Sequence, residues 1–370
     1  MIQPERSLEL QAAMAPNFMA QAWPSARDQA LAACPQLPKT VRSILICGCG
    51  DSHHAAVSLE LPLAASTGLP VRAASSLAAG RYLLPRHAHD PQSVMLIAIS
   101  ASGEVARTLE AAELARGCGA HTLAITTQAA SALARAAEGR LVLALPELPE
   151  GPGLLSYLAS LLLGYALAET WSTENVRGRL AGAITELPSR LEHWLAEQAG
   201  VGQALAEELD PARPILFLGS GPAFGSAMFA AAKTIEAAGA AAWAQDVEEW
   251  SHVEYFCNPA EQILWLLSSG GRSADRETEV VAAAQAIGRR IQISRWLAPG
   301  PEDSLLREAV APLALWAGPA AFADRLAERL GELPFRGFAG GRDRQEGGGP
   351  SRIRSSPRWT NLERPEDWKA

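Results

Sequence analysis

Short, almost wholly apolar runs alternate with longer mixed ones along most of the chain. In the first half the apolar runs fall near 42–47, 70–74, 93–99, 121–125 and 140–145. Between and after them, the stretches near 53–66, 103–117, 129–136 and 152–169 predict helices. A strand that is apolar at successive positions, rather than at alternate ones, is covered on both faces. Regular alternation of such strands with helices predicts an α/β fold with a doubly wound parallel sheet and helices on both faces. The second half repeats the pattern, with strands predicted near 214–218, 241–244, 262–267, 289–293 and 310–315.

Two pairs of segments match across the halves. Arg42–Gly50 reads RSILICGCG and Arg213–Gly221 reads RPILFLGSG, an offset of 213 − 42 = 171. VMLIAISASG ends at Gly103 and QILWLLSSGG ends at Gly271, an offset of 271 − 103 = 168. Two matches at nearly equal spacing indicate an internal tandem repeat. The organisation that follows is an N-terminal helical extension (1–40), a first α/β domain (41–172), a charged helical connector (173–210), a second α/β domain (211–333) and a tail (334–370). The tail is rich in Gly, Arg and Pro and reads as flexible. The other reading is a segment that wraps the fold, anchored by Phe335, Trp359 and Trp368.

Composition narrows the partners. Of 370 residues 48% are hydrophobic, enough for a large core, and the net charge is −8. No Lys/Arg block stands out before residue 330, which argues against nucleic acid and anionic membrane as partners and leaves a small anionic ligand open. The longest apolar run, Leu154–Ala168, is too short for a membrane span and predicts a buried helix. The opening residues MIQPERSLELQ lack the apolar region of a signal peptide, and the five cysteines are scattered. Reduced thiols and a cytoplasmic protein are expected. Cys47 and Cys49, with His53 and His54 nearby, do not have zinc-pair spacing; they read as small thiols at a strand end, and no metal is expected.

Candidate chemistry gathers where strands end. CGCGDS (Cys47–Ser52) and SASGE (Ser100–Glu104) follow two strands, the place where open parallel sheets bind ligands. Ser52, Ser100 and Ser102 offer hydroxyls, the following helices offer free N–H groups, and Gly103 lacks the Cβ that would block a close approach. That suits a phosphate. The alternative is an ordinary helix cap, with Ser102 as N-cap and Glu104 in the first turn. Gly219, Gly221 and Gly225 do not fit the dinucleotide spacing, so no nucleotide cofactor is expected. In the second half, Lys233 and Glu236 share one helix face, either as a surface ion pair or as a cation and a base lining a pocket. Asp246, Glu248, Glu249, His252 and Glu254 follow, and His252 is either an acid–base group or a surface histidine.

Together these motifs resemble the double-SIS (sugar isomerase) family, which includes the isomerase half of glucosamine-6-phosphate synthase, over about residues 10–335. The resemblance implies two flavodoxin-like SIS domains that bind a small sugar phosphate. Ser100, Ser102, Gly103 and Glu104 match its phosphate loop, and Gly48, Gly50, Asp51 and Ser52 match its first loop. Lys233 and Glu236 match its Lys-x-x-Glu pair, whose Glu moves a proton between C1 and C2 of the sugar. Glu249 and His252 match its Glu-x-x-His, whose His assists ring opening and comes from a neighbouring subunit, so a homodimer is implied. The chain departs from the family at Ala101 and Val105, where donors are usual, at Val253 and Glu254, and at Arg354, the position nearest to the family's C-terminal Lys. It begins close to the SIS extension without a glutaminase domain, implying that it draws no ammonia from glutamine by itself. The activity implied is that of an aldose–ketose isomerase or amino-sugar-phosphate deaminase on a hexose 6-phosphate. A non-catalytic sugar-phosphate sensor, or an isomerase for a ligand without phosphate, is the other reading.

Overall fold

A computed structural model describes residues 7–173, 178–257, 262–297, 304–333 and 356–361. The chain forms two compact units, one built around five strands and the other around four.

The five-stranded unit comprises residues 21–146, 156–181 and the described part of the tail. Its strands are β1 (Ser43–Gly48), β2 (Val71–Ser75), β3 (Val94–Ile99), β4 (His121–Thr126) and β5 (Gly139–Val142). All pair in parallel, in the order β2-β1-β3-β4-β5. Every residue of β3 is buried, as its unbroken apolar run requires of a central strand. The second half of helix α1 (Ser7–Ala33) belongs here, followed by α2 (Asp51–Thr67), a single turn α3 (Ser76–Ala78), α4 (Ala106–Cys118), α5 (Ala132–Ala136) and α6 (Leu155–Thr170). The apolar run Leu154–Ala168 is wholly buried except at Ser156, which is half-buried, and makes the heart of α6. Among the described residues no helix is long and apolar enough to cross a membrane.

The four-stranded unit comprises residues 1–20, 147–155 and 182–337 as far as they are described. It contains α7 (Arg179–Glu208), β6 (Ile215–Gly219), α8 (Pro222–Ala238), β7 (Ala242–Asp246), α9 (Val247–His252), β8 (Ile263–Ser268), α10 (Ala274–Ala286), β9 (Arg290–Arg295), α11 (Ser304–Val310) and α12 (Ala317–Arg329). The sheet is again parallel, in the order β7-β6-β8-β9. The strand predicted at 310–315 does not form. Val310 ends α11 and Ala311–Leu313 make a 3-10 turn. Pro312 has no N–H for a sheet ladder and suits the start of such a turn. An apolar run of this length cannot be told from a buried helical segment by its pattern.

The tail is not wholly as its composition suggests. Residues 356–361 dock on the five-stranded unit. Arg107 donates to the carbonyls of Ser356 (2.8 Å) and Pro357 (2.6 Å), and the Trp359 N–H donates to Glu110 at 2.7 Å. The Arg81 guanidinium lies 4.2 Å from the centre of the Trp359 ring, and Arg358 pairs with Glu113 at 3.2 Å. Phe335 and Trp368 lie outside the described residues. Glu110 is the hub. Burial raises its carboxyl, but Arg81, the Trp359 N–H and Arg107 together outweigh burial and hold it below its ordinary value. A depressed carboxyl contributes stability above the ordinary carboxylate range and loses it as pH falls through the lowered value. The strap is therefore expected to release only in acid. Trp359 emission, taken as the difference from a Trp359→Phe variant, should redden through that range and stay flat above it.

Candidate functional site in the strand-end loops

In the five-stranded unit the strand order reverses between β1 and β3, since β2 lies to one side of β1 and β3 to the other. A crevice opens outside the carboxyl ends of strands at such a point. The two loops singled out from the sequence, Gly48–Ser52 and Ser100–Val105, are the loops that flank it. A cross-contact joins the first loop to the helix that follows the second: the Thr108 hydroxyl donates to Cys49 Sγ at 3.8 Å.

The first loop turns sharply. Gly50 takes φ 56° and ψ −130°, a region open essentially to glycine, and no side chain caps α2 after it. A Cβ on Gly48 would strike the backbone of Ser52, so the glycine lets α2 pack against the end of its own strand. Ser52, in the first turn of α2, is buried. Cys47, inside β1, is fully buried; burial, reinforced by Cys49 and partly offset by a hydrogen bond with Ser76, pushes its thiol up to about 12. It is an inert core group. Among the described residues no group of three His, Cys, Asp or Glu side chains could hold a metal ion.

The second loop is a self-bonded turn. The Gly103 N–H donates to the Ser100 carbonyl (3.0 Å) and to Ser100 Oγ (3.1 Å), and the Glu104 N–H donates to Ser102 Oγ at 3.3 Å. Thr126 and Thr127 hydroxyls donate to the Ala101 carbonyl at 3.0 and 2.9 Å, tying the turn to the end of β4. Glu104 faces away from a cap role; its Oε1 accepts the Ala132 N–H at 2.8 Å. The helix-cap alternative fails, because α4 starts at Ala106 and its N-cap is Val105, which has no side chain able to accept. The Thr108 N–H bonds the Val105 carbonyl at 3.0 Å; with no side-chain cap among the described residues, the N–H groups before it are open to water or to a ligand. Gly103 has φ +66°, and a Cβ there would collide with the Ser131 side chain. The glycine is needed for the turn itself and not only for the approach of a ligand.

Residues 39–170 match the model of the SIS domain. Over that stretch the chain is similar to a SIS domain. Glutamine–fructose-6-phosphate aminotransferase [isomerizing] of Chlorobaculum tepidum is 31% identical over 207 residues, which are 54% of this chain and 32% of that one. The matched region thus spans about a third of that relative's length. Among solved structures, the C-terminal domain of glucosamine-fructose-6-phosphate aminotransferase from Francisella tularensis superposes with a TM-score of 0.72 at 14% identity, covering 88% of this chain and 96% of that one. Tagatose-6-phosphate ketose/aldose isomerase from Escherichia coli does so with a TM-score of 0.68 at 17% identity, covering 88% and 94%. At these identities the structural likeness is one of fold, and it extends beyond the SIS domain to the four-stranded unit.

The remaining candidates lie in that four-stranded unit. Lys233 is fully buried, with its ammonium on Glu236 Oε2 and 5.2 Å from the centre of the Phe229 ring. It is not a surface ion pair: a charge enclosed in a helix interface is retained only with a partner. Glu236 is 47% exposed and reaches solvent. His252, at the end of α9, is 66% exposed and bonds Glu248 at 2.9 Å; Glu248 also pairs with Arg276 at 2.5 Å. His252 and then Arg276 hold the Glu248 carboxyl below its ordinary value. Glu249 is exposed beside them, whereas Glu254 turns inward, accepting from Gln245 at 2.9 Å. The four-stranded unit does not bring His252 and Glu236 together. Glu236 lies 14 residues beyond the start of α8, about 21 Å along it, toward the amino edge of the sheet. His252 ends α9, the six-residue helix that starts at the carboxyl end of β7. Arg354 falls outside the described residues. Sequence reasoning missed Thr126, Thr127 and Ser131, which hold the phosphate-loop candidate in shape from the neighbouring strand end. Their only signal was a hydroxyl cluster after β4.

Proposed function

We propose that the protein is a sugar-phosphate enzyme, an aldose–ketose isomerase or amino-sugar-phosphate deaminase acting on a hexose 6-phosphate. One observation carries this reading: in a SIS-like domain, two Ser/Gly loops flank the reversal point of a parallel sheet, and each leads into a helix with no side-chain cap. The relatives support the substrate class, being a glutamine–fructose-6-phosphate aminotransferase and a tagatose-6-phosphate ketose/aldose isomerase.

In this reading Ser52, Ser100 and Ser102 donate hydroxyls to the phosphate, while the α4 N–H groups and the helix dipole favour its charge. Gly48, Gly50 and Gly103 hold the backbone close. Glu236 takes the proton from C1 of the open-chain ketose. The C1–H electron pair forms the C1–C2 double bond of the enediol as the C2 carbonyl oxygen takes a proton from water; Glu236 then returns its proton to C2 while the O1 hydroxyl gives its proton to water and becomes the aldehyde carbonyl. Lys233 fixes the carboxylate's orientation from its buried side. Acid–base chemistry of this kind requires neither metal nor redox cofactor. His252 opens the ring. Because one copy separates His252 from Glu236, the reading includes a homodimer in which the exposed His252 serves a second copy; sedimentation as a monomer at assay concentration would remove that part.

Incubation with fructose 6-phosphate and glucosamine 6-phosphate in D2O is the test. Deuterium at C2, or release of ammonia, is expected with at least one hexose phosphate. Binding without exchange or ammonia across a panel of hexose phosphates would instead make the protein a sensor.

A further inference from the structure

The four-stranded unit has its own version of the phosphate-loop candidate. Ser268–Ser273 follows β8 as Ser100–Val105 follows β3, and the helices that come next, α10 and α4, have the same length of 13 residues. The left-handed residue is Gly270, with φ +60°, one position earlier than its counterpart Gly103. Charge also differs: Arg272 stands where the first loop has Glu104.

The contents differ most. Glu308, from α11, inserts its carboxylate into this loop and is 7% exposed. One oxygen accepts the Arg272 backbone N–H, and the other receives the Arg272 guanidinium at 2.9 Å. A Cβ on Gly271 would overlap the Glu308 side chain, so the glycine makes room for it. A second carboxylate, Glu277, 1% exposed on α10, takes two of the loop's hydroxyls. It accepts from the Ser268 hydroxyl, and from Ser273 Oγ at 2.8 Å. Among the described residues nothing similar fills the five-stranded unit's loop, whose own acidic side chain, Glu104, is turned to the Ala132 N–H.

A backbone N–H ahead of a helix, a guanidinium and a glycine that permits close approach form the donor set of an oxyanion site. Here the oxyanion is supplied by the chain. We infer that Glu308 is a resident anion that closes the four-stranded unit's loop to phosphate, so that each chain presents one phosphate site, in the five-stranded unit. The count of one site rests on the function proposed above; the role of Glu308 does not. Both carboxylates face arginines, Glu308 on Arg272 and Glu277 3.9 Å from Arg295, so what excludes a phosphate is the Glu308 side chain filling the loop and occupying its donors.

The experiment reads the two loops separately. In a Ser100→Ala/Ser102→Ala background, which silences the first loop, inorganic phosphate is titrated by calorimetry. No binding is expected. Adding Glu308→Ala should create one phosphate site per chain with a Kd in the millimolar range, and further Arg272→Ala should remove it. Glu308→Gln should create none, because its side chain still fills the loop and accepts from Arg272. A folded Glu308→Ala protein that binds no phosphate, or equal binding by Glu308→Gln, overturns the inference. So does failure of both Glu308→Ala and Glu308→Ser to fold with phosphate present, which would make Glu308 structural support. If instead the wild type and the Ser100→Ala/Ser102→Ala protein bind phosphate identically, the first-loop reading fails while the Glu308 result still stands.

Discussion

Glu236→Gln is expected to lower turnover of the hexose phosphate by about 10²–10⁴-fold, the usual contribution of a positioned general base, while binding persists. The substitution is chosen for its shape. Lys233 is fully buried and bonds the carboxylate. Removing the carboxylate would leave a buried ammonium without this partner, so Glu236→Ala would mix lost chemistry with lost stability. Gln leaves an amide oxygen for the ammonium and takes away the basicity. The decisive measurement is the pair of KM-independent readouts: solvent deuterium incorporation at C2, and the thermal shift produced by the sugar phosphate. Lost incorporation with an unchanged shift assigns Glu236 to proton transfer. Unchanged incorporation eliminates it as the base.

Gly103→Ala is expected to destabilise the five-stranded unit by about 2–5 kcal/mol, from the left-handed backbone together with overpacking. The collision is with Ser131, whose hydroxyl caps α5 by accepting the Ala134 N–H at 3.3 Å. The disturbance therefore spreads from the loop to the next helix. A fall in melting midpoint of roughly 5–20 °C is expected, with phosphate affinity lost in the same variant. Gly50→Ala makes a useful comparison. Its φ is also positive, but no atom lies within 4 Å of an added Cβ, so it should carry only the backbone cost. If the two variants melt alike, the Ser131 contact contributes nothing.

These variants also mark how far the site was legible beforehand. The turns at Gly50 and Gly103 were visible as Ser/Gly clusters between an apolar run and a helical one. Their reason was only half visible. An approaching phosphate explains a glycine as well as a neighbouring side chain does, and Ser131 is 28 residues away from Gly103 along the chain. The cap reading of Ser102 failed for a local cause: the turn closes on Ser100 and Ser102 themselves, which delays the helix to Ala106. Of the two readings of the tail, residues 356–361 follow the one in which Trp359 anchors a wrapping segment; composition alone could not choose, because it measures how much a segment can bury, not what awaits it. One indole and a few carbonyls suffice when Arg81, Arg107 and Glu110 are already arranged to receive them.

Local pattern by itself determined the α/β class, the parallel strands, the order of elements through β9 and the strand-end loops. Each of these depends on apolar periodicity and turn residues, which act over a few positions. Tertiary structure alone decided the rest. It turned 310–315 into helix and 3-10 turn, enclosed Lys233, and set Glu236 toward the amino edge of a sheet whose carboxyl end leads into the helix that His252 ends. It also filled one of two similar loops with Glu308. Those outcomes depend on which side chains meet from distant parts of the chain, and Glu308 is 36 residues from Arg272. Nothing in either segment's own pattern records that meeting.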